Sequence, residues 1–418
     1  MNWLKSIRGL GFAGCAAFSI ASQALAQVVP VKVGCLYPLT GPAGLYGRDS
    51  SVAIQMALDH IRSQGSAGDP ELDVTIEDTR SKSLRSEKMA RRFIEEEKVD
   101  FLCGVVSSSV ARAVSAEAFK HETFFIGTDH ASPNLTTEAL HSYYFRMSNG
   151  TRQSMLAGAK YIRESYQNPD EPLSIAFIGP DYEYGYQAWD DLREFLRQEG
   201  VDFEIAGEYW PRLFETDYSL YLQQLSDSPA DIVVNGHWGL DLVTFVKQAR
   251  LSNLFERTQF MNFDAGGNFE ILAELGNDMP LGLVLSARHH VNWPPTNANH
   301  TFVEEFYDIA GRYPSYAAQG AYAGILAIAE AVKVAGGMSD KQAVRTALEN
   351  LSLSLPEDPQ GFRSTMDPTS HQLLQVQAIG KTVFNNTHVP ATVLLGEWSI
   401  YYPPETWPSL DSDPGSAR

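Results

Sequence analysis

Short apolar, β-branched runs that alternate with helical patterns constrain the fold of this 418-residue chain more than any other feature. The first series has four such runs, at Val31–Tyr37, Leu72–Glu77, Phe101–Val106 and Phe124–Gly127. A second series begins after about residue 150 and has five, at Leu173–Ile178, Phe203–Ala206, Asp231–Asn235, Gln259–Asn262 and Leu281–Leu285. Two successive βα series predict an α/β fold with two doubly wound, parallel-sheet lobes.

The length of the chain and its linkers agree with two lobes. Single hydrophobic cores stop growing near roughly 250–300 residues, so a chain of 418 residues has enough sequence for two. No Ser/Gly-rich linker separates the two series. We therefore expect several short crossings that form a hinge, around which the lobes close on a ligand.

The first 26 residues are typical of an export leader. Lys5 and Arg8 form a basic region, an apolar stretch follows from Gly9, and Ala24-Leu25-Ala26 fits a small-x-small cleavage site. We predict a signal peptide over residues 1–26 and a periplasmic protein that begins at Gln27. No later segment has about 18 uninterrupted apolar residues, so no membrane span is expected.

Charge and motif content exclude several classes of function. A formal net charge of −19 opposes sequence-independent binding to nucleic acid or anionic lipid. The single G-x-G-x-x-G pattern, residues 9–14, lies inside the leader and follows no strand. No His-x-x-x-His spacing occurs, and two cysteines remain after cleavage, too few for a four-cysteine zinc site. We expect no metal and no cofactor.

The two remaining cysteines, Cys35 and Cys103, lie in predicted strands of one sheet. An exported protein permits a disulfide between them. Cross-strand bridges are strained, however, and buried free thiols are common. We expect free thiols, with a bridge as the alternative.

Polar and aromatic residues follow five of the predicted strands, where ligands bind in open α/β sheets. Hydroxyls and N–H groups at a helix N-terminus, as in the Ser107–Ser109 run, suit a carboxylate, although one serine can simply cap the helix. Aromatic side chains can wall a cleft against water or cover a sheet edge. The candidates in these loops are Tyr46, Ser107, Ser108, Asp129, His130, Ala131, Tyr184 and Trp238.

The neighbouring Asp129 and His130 also raise the possibility of a catalytic dyad. A hydrolase would need a nucleophile, and no G-x-S-x-G motif occurs in the chain. We therefore expect no enzymatic activity and assign no catalytic residue.

Several segments resemble the periplasmic branched-chain amino acid binding proteins, the type I periplasmic binding fold receptors of ABC importers. They are the loop YPLTGPAGLYG, the strand end GVVSSS, FFIGTDHASPNLT, the turn YEYG, FMNFDAGGN and the helix PSYAAQGAYAGILAIAEAVKVAG. The resemblance covers nearly the whole mature chain. It implies lobe one over 27–148 and 288–372 and lobe two over 149–287 and 373–405. The composition of the end of the chain predicts a disordered tail over 406–418.

The resemblance also implies roles for the candidate residues. The aromatic lid falls on Tyr46, the carboxylate-binding serine on Ser107, and the contacts of the next loop on Asp129 to Ala131. The lobe-two aromatics fall on Tyr184 and Trp238, and the acidic partner of a ligand ammonium falls on Asp264. The sequence departs from the family pattern at two places that bear on the identity of the ligand. Asp129-His130-Ala131 stands where the family usually has small-small-Thr, and Asp264 stands where it has a glutamate.

The function implied is capture of a small amino acid, branched-chain or similar, for the membrane permease of an ABC importer. Related receptors take up aromatic acids, short amides or urea, and these remain alternatives, as does a ligand sensor of the same fold. We expect the mature chain to be a monomer.

Overall fold

A computed structural model of the protein describes residues 29–66, 68–166 and 171–403. The predicted signal peptide, 1–26, and the predicted disordered tail, 406–418, lie outside the described residues.

The described residues form fifteen strands that divide between two sheets. They are β1 (Val31–Tyr37), β2 (Leu72–Asp78), β3 (Phe101–Gly104), β4 (Phe124–Gly127), β5 (Tyr144–Arg146), β6 (Leu173–Ile178), β7 (Phe203–Tyr209), β8 (Ile232–Asn235), β9 (Gln259–Asn262), β10 (Val284–Ser286), β11 (Ser352–Leu353), β12 (Ser364–Asp367), β13 (Gln372–Leu374), β14 (Gln377–Phe384) and β15 (Val393–Tyr401).

Twelve α-helices cover the faces of these sheets in the described part of the chain. They are α1 (Gly44–Gln64), α2 (Ser83–Arg92), α3 (Ser108–Lys120), α4 (Thr151–Tyr166), α5 (Glu183–Gln198), α6 (Ser219–Asp227), α7 (Gly239–Ala249), α8 (Leu254–Arg257), α9 (Phe269–Leu275), α10 (Asn297–Ala310), α11 (Tyr316–Ala335) and α12 (Lys341–Glu349). A π-helical turn extends α2 at Phe93–Glu97, and short 3₁₀ helices lie at Pro133–Thr136, Arg250–Ser252 and Gly276–Asp278.

Two α/β lobes are confirmed, each built on one sheet. The sheet of lobe one has the order β11-β12-β13-β5-β4-β3-β1-β2, and that of lobe two has the order β15-β14-β10-β9-β8-β6-β7. Both sheets are mainly parallel, as predicted, and each also has antiparallel strands at one edge. β11, β12 and β13 pair antiparallel to one another, and β14 pairs antiparallel to both β10 and β15. These five strands follow the last strand that the sequence pattern predicted.

The chain passes between the two sheets three times, at 147–150, 287–296 and 375–376. The predicted long helix near the C-terminus is α11, which packs along α1 on lobe one. Its Gly320 lies directly against the carbonyl oxygen of Thr128, so a side chain at this position would collide with the loop after β4. This close approach places the beginning of α11, and with it Tyr316, beside the ends of the lobe-one strands.

A disulfide joins Cys35 to Cys103, so the expectation of free thiols is wrong. The register of β1 and β3 explains the bridge, because it pairs these two residues directly, with 4.4 Å between their Cα atoms. Both side chains lie in the core of lobe one. The bridge closes a loop of 68 residues and is compatible with an oxidising compartment.

Within the described residues, no helix combines the length and the apolar character needed to cross a bilayer. The same residues contain no group of three or more histidine, cysteine, aspartate or glutamate side chains arranged to hold a metal ion.

Candidate functional site

A small cavity of about 20 Å³ lies where the carboxyl ends of the strands of lobe one face those of lobe two. Each lining residue follows a strand or begins a helix at this edge. The lining residues are Val106, Ser108, Asp129, Ala131, Tyr182, Tyr184, Trp238, Asp264, Ala265, Arg288 and Tyr316. A volume of this size holds about one water molecule. The two lobes are therefore closed on each other, and a larger ligand enters only if they separate.

A buried arginine connects the two lobes inside this cleft. Arg288 lies in the second crossing, directly after β10, and its side chain is 4% exposed. Its Nη2 donates to Oδ2 of Asp264 at 2.7 Å and its Nε to Oδ1 of the same carboxylate at 3.3 Å. Its Nη1 donates to Oδ1 of Asp129 at 2.9 Å and also to the Asp129 carbonyl. Asp129 belongs to lobe one and Asp264 to lobe two, so one guanidinium holds both.

The charges of this cluster are not balanced, because one cation serves two carboxylates. Asp264 has the two-point contact that suits a guanidinium best. Burial raises the pKa of Asp129 to about 7, since the single contact with Arg288 only partly offsets the loss of water. Burial lowers the pKa of Arg288. The two carboxylates and Tyr316 together raise it by more than burial lowers it, so this side chain stays charged.

Aromatic rings form the walls of the cleft. The guanidinium carbon of Arg288 lies 4.8 Å from the centroid of the Tyr316 ring, which is a cation–π contact. Tyr46 packs beside this ring and beside Trp238, with centroid distances of 5.3 Å and 6.0 Å. The hydroxyl of Tyr184 donates to Oδ2 of Asp264 at 2.8 Å. The rings exclude water and so strengthen the electrostatic contacts between them.

Three further hydrogen bonds join the lobes around the cavity. The hydroxyl of Tyr46 in lobe one donates to Oε1 of Glu270 in lobe two at 2.9 Å, and burial raises the pKa of Glu270 to about 8. Glu183, at the beginning of α5, accepts from Ser132 at 2.8 Å and from Arg112 at 3.0 Å. Glu183 and Glu270 are thus the lobe-two acceptors for donors of lobe one.

Comparison with known proteins shows the family. A family model described as periplasmic binding protein matches residues 30–382. The chain belongs to the periplasmic binding protein family. It is 24% identical over 367 residues to a Leu/Ile/Val-binding protein homolog 4 of Brucella melitensis, with 84% of each chain covered.

Solved structures of the same fold resemble this periplasmic binding protein over most of its length. An ABC transporter substrate-binding protein from Sphaerobacter thermophilus is 23% identical, with a TM-score of 0.78 over 89% of this chain and 98% of that one. A solute-binding protein of an R. palustris ABC transporter, in complex with 4-hydroxybenzoate, is 19% identical, with a TM-score of 0.76 over 90% and 97%. At these identities the likeness establishes the fold.

The structure of this periplasmic binding protein brings most of the predicted site residues together. Six of the predicted residues line the cavity: Ser108, Asp129, Ala131, Tyr184, Trp238 and Asp264. Tyr46 lies behind Trp238 and Tyr316 rather than in the lining. Ser107 precedes α3, is half-buried and makes no capping hydrogen bond through its side chain.

His130 has a different position from the other candidates. Its Nε2 lies 2.6 Å from the hydroxyl of Tyr144, and its ring stacks against Phe125 in the core of lobe one. Burial lowers its pKa to about 3, so the imidazole is neutral. It is not in the cavity lining, and its partners in the core give it a packing role.

Sequence reasoning assigned no site role to six residues of the cleft. These are Val106, Tyr182, Ala265, Glu270, Arg288 and Tyr316. Arg288 could have been recognised from the sequence, because it is a charged residue three positions after the apolar end of a predicted lobe-two strand. Glu270 and Tyr316 lie in the first turns of helices, where neither spacing nor composition distinguishes them from surface residues.

A larger groove, of about 420 Å³, lies on the outer side of lobe one between α1, α10 and α11. Its lining includes Phe302, Tyr322 and Lys333. The groove is larger than the cleft, but it is remote from the carboxyl ends of the strands. It also lacks a buried group like the Asp129–Arg288–Asp264 cluster, so we place the functional site in the cleft.

Proposed function

We propose that this protein is the periplasmic substrate-binding receptor of an ABC importer. It captures a small amino acid, branched-chain or similar, between its two lobes and delivers it unchanged to a membrane permease. The observation that carries this proposal is the closed, aromatic-walled cleft in which Arg288 connects one aspartate from each lobe. Ligand capture between hinged lobes requires such complementary groups on both faces.

The remaining elements of the proposal rest on the sequence. The leader-like segment over residues 1–26 supports export to the periplasm. A monomeric receptor without cofactor is the simplest arrangement for a chain whose cleft is complete within its own two lobes.

An aromatic carboxylic acid is a second candidate ligand. It is favoured by the aromatic walls of the cleft and by Arg288, whose guanidinium is a natural partner for a carboxylate. The structurally similar R. palustris protein holds 4-hydroxybenzoate. In this case the ligand carboxylate would compete with Asp129 for the arginine.

A hydrolase that uses Asp129 and His130 is not supported. The imidazole is neutral, and its two nitrogens lie beside the Tyr144 hydroxyl and the Val105 carbonyl, in the core. A general base must reach the reacting group, and this ring does not line the cavity.

A thermal-shift screen of amino acids, amides, urea and aromatic acids tests the proposed function. A ligand that binds only the native state stabilises it by RT ln(1 + [L]/Kd), which is about 2.7 kcal/mol at a hundredfold excess over Kd. We expect a clear rise in Tm with at least one class and recovery of the compound unchanged. Conversion of the compound by the protein would contradict a receptor.

A further inference from the structure

The hydrogen bonds around Asp264 leave it little capacity for a ligand. Its Oδ1 accepts from Arg288 Nε at 3.3 Å, and the Ser154 hydroxyl lies 3.2 Å away but makes a shorter contact, 2.9 Å, with the Gly150 carbonyl. Its Oδ2 accepts from the Tyr184 hydroxyl at 2.8 Å and from Arg288 Nη2 at 2.7 Å. A carboxylate has about four acceptor positions, and groups of the protein occupy three of them, two through Arg288 and one through Tyr184. Asp264 therefore orients Arg288 and Tyr184.

The carboxylate of Asp129 is in the opposite situation. Its Oδ1 accepts from Arg288, whereas its Oδ2 has no hydrogen-bond partner among the described residues. The side chain is fully buried and lines the cavity. A buried carboxylate oxygen without a donor costs free energy, and a ligand that supplies one recovers it.

The charges in the cleft favour a positively charged group at this position. With Asp129 and Asp264 ionised and Arg288 protonated, the cluster has a net charge of −1. An amine brings the buried sum to zero and a zwitterionic amino acid leaves it at −1, whereas an acid without an ammonium group brings it to −2. The faces of the surrounding tyrosine and tryptophan rings also attract cations.

We propose that Asp129, and not Asp264, selects the ligand, and that its Oδ2 accepts hydrogen bonds from a cationic N–H group of a small organic molecule. This inference rests on the proposed receptor function and names the chemical class of its ligand. Amines and zwitterionic amino acids belong to that class, and acids without a nitrogen do not.

The selection depends on pH, because Asp129 must be ionised to bind a cation. The groups that face its carboxylate are Arg288, Asp264 and Glu270, with the hydroxyls of Tyr37, Tyr46 and Tyr316. Of these, Arg288 stays charged and the tyrosines stay neutral below pH 8. With the pKa of Asp129 near 7, affinity for an amine should fall by roughly 20-fold between pH 7.5 and pH 5.5.

Isothermal titration calorimetry on two matched sets of compounds tests the proposal. The aliphatic set is L-leucine, isocaproate and isoamylamine, which carry both charged groups, the carboxylate alone and the ammonium alone. The aromatic set is L-phenylglycine, phenylacetate and benzylamine. In each set that binds, we expect the compounds with an ammonium group to bind at least about 30-fold more tightly than the acid, as desolvated charge pairs do.

Two variants assign the effect to one residue. Asp129→Asn keeps the shape and removes the charge, so it should weaken binding of the best amine or amino acid by at least about 30-fold and abolish its pH dependence. Asp191→Asn is the matched control, because Asp191 is equally buried, its pKa is also raised by burial to about 7, and it lies outside the cavity lining. The control should bind within about threefold of the parent.

The outcomes separate this inference from the receptor function. If an acid binds best and Asp129→Asn binds it as tightly as the parent, the inference is overturned and a receptor for acids remains. If none of the six compounds binds, both the inference and the proposed amino acid function are overturned. If Asp129→Asn does not fold, the compound series and the pH profile of the parent protein still decide, because neither needs a variant.

Discussion

Replacing Arg288 with methionine should destabilise the protein by about 3–5 kcal/mol at pH 8, because the change leaves two buried carboxylates without their cation. Methionine fills part of the arginine volume, so lost charge compensation rather than a cavity accounts for most of the effect. The loss should be smaller at pH 5 by more than about 1 kcal/mol. Without the guanidinium, which lowers the pKa of Asp129, that pKa rises further, and protonation below it removes a buried charge.

Urea unfolding followed by tryptophan fluorescence, at pH 5 and pH 8, measures both quantities. Arg62→Met is the control, because the Arg62–Asp59 pair is 63% and 60% exposed and such pairs contribute at most about 1 kcal/mol. A loss below about 1 kcal/mol for Arg288→Met at pH 8, or the same loss at both pH values, would refute the view that Arg288 compensates two buried charges.

Three further changes test other parts of the structure. Cys103→Ser removes the disulfide to Cys35 and so opens the 68-residue loop that it closes. The free energy of unfolding, measured by urea titration, should fall by about 4 kcal/mol. An unchanged midpoint would argue against the bridge. Glu270→Gln removes a carboxyl group whose pKa is raised by burial to about 8. As pH rises from 5 to 8, the parent should therefore lose about 1.4 kcal/mol of stability per pH unit relative to the variant. Parallel pH profiles of the two proteins would disprove this. Gly320→Ala should cost about 1–3 kcal/mol by forcing α11 away from the Thr128 carbonyl, and an unaltered Tm would be inconsistent with the close packing.

Much of the cleft could be predicted because parallel strands expose their carboxyl ends at one edge of each sheet. Asp129, Tyr184, Trp238 and Asp264 all follow predicted strands in this way, and all four line the cavity. The position of a residue after a strand predicts where its side chain lies but not which groups it contacts. The resemblance to the family implied that Asp264 is the partner of a ligand ammonium, whereas in the structure its carboxylate accepts from Arg288 and from the Tyr184 hydroxyl.

The parts that escaped prediction depend on long-range geometry. Arg288 reaches Asp129 across 159 residues of sequence, and the partners of a long side chain cannot be deduced from local patterns. The disulfide follows from the register of β1 and β3, which places Cys35 opposite Cys103, and register is set by packing of the whole sheet. The antiparallel edge strands β11 to β13 have two to four residues each, too few for periodicity to be recognised.

The central claim is that the ligand binds between the lobes with a cationic nitrogen on Asp129. A crystal structure of the protein with the tightest compound from the calorimetric series tests it most directly. The account predicts density for the ligand between Tyr184, Trp238 and Tyr316, with its nitrogen within about 3 Å of Oδ2 of Asp129 and with Arg288 still bound to Asp264. Density in the outer groove between α1 and α11, or a ligand carboxylate on Arg288 in place of Asp129, would contradict it.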